Sequence, residues 1–131
     1  MLLLHWFWPL QISIQPAASA LGAILCLVGI GCTVWGRVTL VKAKTNVSPL
    51  KPTTALATGG PFRFTRNPLY VGVSTLLLGL SLLIGTWWGI IVLAPAMFVL
   101  HYGVILREER YLEQKFGDSY VTFKRSVRRY L

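Results

Sequence analysis

Uncharged apolar runs alternate with polar, basic segments along this chain, and the runs are long enough to define helices. Residues 17–36, AASALGAILCLVGIGCTVWG, carry no charged side chain. At about 1.5 Å of rise per residue, a run of this length covers the roughly 30 Å hydrocarbon core of a bilayer. It predicts a membrane span over about residues 17–37, with Arg37 reaching back to the headgroups. Gly22, Gly29, Gly31 and Gly36 are expected to allow close helix approach. Residues 69–105 form the longest apolar stretch, broken near its middle by Gly85-Thr86 and Trp87-Trp88. This spacing predicts a helical hairpin, with helices over about 69–84 and 86–106 and the tryptophans at the far interface. Pro95 falls in the second helix, where neighbours can satisfy the freed carbonyl. The apolar run before Gln11 is too short to span alone, and Trp6 and Trp8 suit an interfacial position.

The polar segments read differently. Residues 37–68 form a long connection in which Pro49 and Pro52 argue for extended chain. A loop of this length is uncommon in a compact domain unless it is functional. Near the C-terminus, Leu112 and Phe116 sit at helical spacing, Gly117 stops that helix, and Asp118 or Ser119 can cap another. Tyr120, Phe123, Val127 and Tyr130 then share one face, with Lys124, Arg125, Arg128 and Arg129 largely elsewhere. This is the pattern of an amphipathic helix lying on a membrane surface. The expected fold is therefore all-α. It is one domain over residues 1–131, an integral membrane bundle of three transmembrane helices with a partial N-terminal apolar segment and a C-terminal surface helix.

Composition agrees with a membrane setting: 54% of residues are hydrophobic and only 13% charged, against about a quarter in soluble domains. The formal net charge of +9 could attract nucleic acid. However, the basic residues flank apolar runs, so anionic lipid is the expected partner and nucleic acid is not. Six of the thirteen Lys and Arg residues lie between positions 37 and 66 and the other seven between 107 and 129. Three spans put both groups on one side, and the positive-inside rule makes that side cytoplasmic. The loop 37–68 and the C-terminus are then cytoplasmic, and a bacterial inner membrane is favoured over the endoplasmic reticulum. The N-terminus lacks a basic n-region and a small-residue cleavage site, so no signal peptide is expected. Cys26 and Cys32 lie in one apolar run and suggest neither a disulfide framework nor a metal site.

Apart from Arg37 at the end of the first, the spans contain no Asp, Glu, Lys or Arg, which argues against a proton-coupled exporter. His101, near a cytoplasmic end, is expected to be a hydrogen-bonded filler. The stretch GGPFRFTRNPLYVG, residues 59–72, combines turn residues with Arg63 and Arg66 and leads directly into the hairpin. Asn67 and Pro68 fit the N-cap and first position of a helix. All four acids, Glu108, Glu109, Glu113 and Asp118, fall within eleven residues at the hairpin's other end. The motif and the acids should meet in space. Glu108-Glu109 reads either as a helix surface, with Glu109 paired to Arg or Lys, or as a carboxylate that accepts hydrogen bonds from a vicinal diol such as a ribose. Arg63 and Arg66 read as headgroup anchors or as forked donors to a carboxylate or phosphate.

The conjunction of GGPFRFTRNPLYVG, a hairpin and LREERYLEQKFGDSYVTFKRSVRRYL resembles the isoprenylcysteine carboxyl methyltransferase family. It is also similar to the related membrane phospholipid methyltransferases. The likeness covers residues 45–131, the catalytic-type part. It implies S-adenosylmethionine as methyl donor and a lipophilic acceptor, either a small molecule or a lipidated one, that arrives from the bilayer. It implies cofactor contacts at Thr54, Ala55, Leu56, Ala57 and Phe62, at Asn67, Pro68, Leu69 and Tyr70, and at Glu108 and Glu109. Arg66, Asn67, Tyr70 and Glu108 are the implied catalytic set. Eukaryotic members carry His where this chain has Asn67 and Tyr where it has Phe62; Asn-Pro at that place is shared with phospholipid amine methyltransferases. An arginine that serves the prenylcysteine carboxylate matches Val104 here, and Arg107, one helical turn away, is the candidate substitute. Two other classes remain open at this point, a non-catalytic membrane scaffold and a small transporter. So few spans leave room for a homo-oligomer.

Overall fold

The computed structural model describes residues 1–13, 16–43 and 58–130. Its described residues form helices and turns without a β-sheet: α1 (Leu2–Phe7), α2 (Ala17–Lys42), a 3₁₀ turn (Gly60–Arg63), α3 (Pro68–Ile84), α4 (Trp88–Leu100), α5 (Leu106–Phe116) and α6 (Asp118–Ser126). A π-turn over His101–Ile105 joins α4 to α5, so one continuous helix runs from Trp88 to Phe116. At its end the Leu106 N–H bonds back to the His101 carbonyl.

Two helices are long and apolar enough to cross a membrane, Ala17–Lys42 and Trp88–Phe116. Only 22% and 11% of their most apolar windows are buried inside the protein, so neither is the core helix of a soluble domain. The third apolar helix, α3, has 17 residues. The expected boundaries shift as a result. The first helix continues to Lys42 rather than ending near residue 37. The second arm of the hairpin begins at Trp88 and does not stop at 106.

Glycine spacing explains why α2 and α3 pack so closely. Gly22, Gly29 and Gly36 recur every seven residues on α2, and Gly72 and Gly79 do so on α3. Seven residues are close to two helical turns, so each set lies on one face. The helices run antiparallel, Gly22 against Gly79 and Gly29 against Gly72. A Cβ at Gly29 would stand 2.6 Å from the Leu76 nitrogen and 2.7 Å from the Gly72 carbonyl oxygen, so only glycine permits this approach. Gly31 has nothing within 4 Å, so it takes no part in the packing expected of it. The hairpin closes at Gly85, whose φ of 75° is the left-handed conformation of a helix C-cap. Ser81, fully buried, donates its hydroxyl to the Thr86 carbonyl across the turn. The N-terminal segment seals the same end: the Ile12 N–H donates to Gly85 O at 2.8 Å and the Trp87 N–H to Leu10 O at 3.0 Å. Trp6, Phe7, Trp8 and Trp87 are exposed there, in keeping with an aromatic belt at the far interface.

The opposite end holds the only sizeable apolar cluster of buried side chains among the described residues. Phe62, Tyr120 and Phe123 form its centre, and Leu40, Ala43, Leu112, Phe116 and Val127 pack around it. This corrects the expectation for the C-terminal helix. The apolar face of α6 is covered by the 3₁₀ turn and the end of α2, with Tyr120 1% exposed, and does not lie against lipid.

Candidate functional site

The site is built where α3 begins and α5 begins. Pro68 at the first position of α3 is compatible with helix because its missing N–H is one that has no partner within the helix anyway. This start puts Tyr70 in the first turn, facing α5. The Tyr70 hydroxyl lies 3.4 Å from each oxygen of Glu108. Short O–H···O⁻ contacts run at about 2.5–2.7 Å. The pair is thus aligned but loose, and among the described residues most of the carboxylate's acceptor capacity is uncommitted. Both side chains are half-buried. The sequence expectation that the motif and the acidic cluster meet is met here.

Glu109, one residue on, points about 100° away around the helix. It is buried and receives two guanidinium groups. Arg129 donates Nε to Oε1 at 2.8 Å and Nη2 to Oε2 at 2.9 Å, a forked pair. Arg66 places Nη1 3.1 Å from Oε1, as an ion pair outside hydrogen-bond alignment. Arg66 Nε is buried with no hydrogen-bond partner among the described residues. The Glu109 hydrogen bond raises the pKa of Arg129 above its ordinary value. Burial pushes the Tyr120 hydroxyl up, against the opposing pull of its hydrogen bond with Arg66. Pairing with arginine was one of the two readings open for Glu109, and it is the one the structure realises.

Asn67 stands at the N-cap position of α3, but its side chain makes no capping hydrogen bond. The expected cap is replaced by a long-range contact: Nδ2 donates to Arg129 O at 2.9 Å. Phe62 lies in the apolar cluster. Pro68 and Leu69 pack at Gly36 of α2. Arg107 is exposed. Thr54, Ala55, Leu56 and Ala57, with Pro49 and Pro52, lie outside the described residues. His101 is hydrogen-bonded as expected, its Nδ1 2.7 Å from the Tyr130 hydroxyl.

Sequence reasoning missed Arg129 and Thr65. Four acids in one short segment signalled that one of them would need a cation, but nothing in the pattern separated Arg129 from the other basic residues nearby. Thr65 is buried, donates Oγ1 to Arg129 O at 3.1 Å and accepts from the Asn67 N–H at 3.2 Å. It carried no signal in the sequence.

The family model described as phospholipid methyltransferase matches residues 17–119. An uncharacterized protein of Haemophilus influenzae is 39% identical over 66 residues, which are 48% of this chain and 100% of that protein. The protein-S-isoprenylcysteine O-methyltransferase of Schizosaccharomyces pombe is 32% identical over 72 residues, which are 55% of this chain and 30% of that enzyme. No solved structure matches the chain.

Proposed function

The chain belongs to the phospholipid methyltransferase family, and from that premise we propose that it is an integral membrane methyltransferase using S-adenosylmethionine. The observation that carries the reading is the Tyr70–Glu108 pair. A half-buried carboxylate held, among the described residues, only by long contacts to one hydroxyl suits a vicinal diol, which can donate two hydrogen bonds to it. The buried, unpartnered Nε of Arg66 suits a carboxylate. Those two features fit the ribose and the methionine end of the proposed donor.

When bound, S-adenosylmethionine supplies a methyl group on a sulfonium, which transfers by direct displacement. The chain's own groups bind and align. Glu108 accepts from the ribose hydroxyls, Tyr70 stays beside it as a donor, and Arg66 neutralises the carboxylate. Phe62, Asn67, Pro68, Leu69 and Glu109 are assigned to the same proposed cofactor site. Displacement needs no covalent protein nucleophile, so alignment and exclusion of water are the protein's main contributions. The acceptor is a carboxylate, thiol or amine on a lipophilic or membrane-associated molecule, and Arg107 is the proposed contact to it. We place the reaction at the cytoplasmic face, because the basic residues cluster at the site's end of the bundle. In this reading α3 is the third span, its 17 residues at the short end of the workable range of about 17–25.

Calorimetry with S-adenosylhomocysteine on the detergent-solubilised protein tests the site. Wild type is expected to bind. Glu108→Ala is expected to weaken affinity by roughly ten- to a hundredfold, the value of hydrogen bonds to a charged group. Tyr70→Phe should cost less, because the carboxylate stays in place. Unchanged affinity in Glu108→Ala removes the assignment. Methyl transfer into a lipid extract, against a protein-free control, then separates an enzyme from a scaffold.

A further inference from the structure

The C-terminal tail after α6 makes more contacts with the site than any role in anchoring explains. Three of its four described residues, Arg128, Arg129 and Tyr130, reach three different elements. The Arg128 carbonyl accepts from the Arg66 N–H at 2.8 Å. The Arg129 carbonyl accepts from Thr65 Oγ1 and from Asn67 Nδ2. The Arg129 guanidinium forks onto Glu109 of α5. The Tyr130 hydroxyl meets His101 in the π-turn. Arg129 therefore joins the segment that launches Tyr70 to the helix turn that projects Glu108, with its main chain on one and its side chain on the other.

We propose that Arg129 is a positioning residue, the clasp by which the C-terminal tail sets the Tyr70–Glu108 spacing for the methyl donor. It touches neither Tyr70 nor Glu108. It acts through Thr65 and Asn67 on one side and Glu109 on the other. Because Glu109 is adjacent to Glu108 on the same helical turn, fixing its carboxylate fixes the rotation of α5 at the site. This inference rests on the cofactor reading above.

The test is a double-mutant cycle read by S-adenosylhomocysteine affinity, using wild type, Arg129→Ala, Glu108→Ala and both together. Arg129→Ala alone is expected to weaken binding on the order of tenfold, and to add little once Glu108 is gone, as coupled positions do. Arg129→Lys, which keeps the charge and loses the fork, should recover part of the affinity. Hydrogen exchange on the ligand-free proteins supplies a second readout. Arg129→Ala should speed exchange at the Thr65–Asn67 amides and leave the α2 amides protected, which also shows that the variant is folded. Wild-type binding that Arg129→Ala leaves unchanged, or losses that simply add, overturns the clasp alone. No wild-type binding overturns the cofactor reading and the clasp's role with it.

Discussion

Replacing Glu109 with Ala is expected to destabilise the protein by about 3–5 kcal/mol, the usual cost of breaking a buried pair by removing one partner. The reason lies in what remains. The Glu109 side chain is 9% exposed and that of Arg66 10%, so the Arg66 guanidinium cannot simply turn to water, whereas Arg129, at 32%, is partly exposed. Removing the carboxylate leaves a buried positive charge without compensation, next to a second one. Glu109→Gln is expected to fail almost as badly, because it keeps the shape and loses the charge that both arginines answer. A lowered thermal midpoint of the detergent-solubilised variants is the measurement. A midpoint unchanged in both would mean that the triad is surface decoration. By contrast, Glu113, whose pair with Lys124 is long and exposed at 3.9 Å, should tolerate Ala with little change.

Gly29→Leu is expected to have the other large effect, separating α2 from α3. The new side chain would start 2.6 Å from backbone, where no rotamer relieves the overlap. The two helices must part along their length, which forfeits their shared packing surface. The cost should exceed the roughly 1–3 kcal/mol of ordinary overpacking, because backbone rather than a flexible side chain is in the way. Gly31→Leu is the control. It meets open space, and leucine is the better helix former, so stability should hold or rise slightly. Melting curves of the two variants in one detergent decide the matter. Equal losses would show that the glycine face is not the contact.

Particular residues show how far the sequence could be read. The apolar runs announced the helices, and Gly85 and Gly117 announced two of their ends; both have φ above +50°. The meeting of residues 66–70 with 108–109 followed from a hairpin of this length. The extension of α2 to Lys42 did not follow, because it depends on Phe62 and α6 packing near Leu40 and Ala43, a contact made across the chain. The face of α6 was misjudged for the same reason. An amphipathic pattern states that one face will be covered, and cannot tell lipid from protein. Asn67 was read from local capping preference, and a distant carbonyl took its side chain instead. Of the four glycines in the first span, period alone separates Gly31 from the other three.

The π-turn has a consequence for which residue performs which task. A π-turn uses one residue more than an α-turn, so every position after Ile105 stands where its predecessor would stand in an unbroken α-helix. Straightened into regular helix, the same sequence would present Arg107 to Tyr70, and Glu108 would enter the pocket formed by Arg66 and Arg129. A cation would then occupy the place of the proposed diol acceptor. The local irregularity thus sets a reading frame for the helix, and it is this frame, more than the presence of two adjacent glutamates, that sets one of them beside Tyr70 and the other between Arg66 and Arg129.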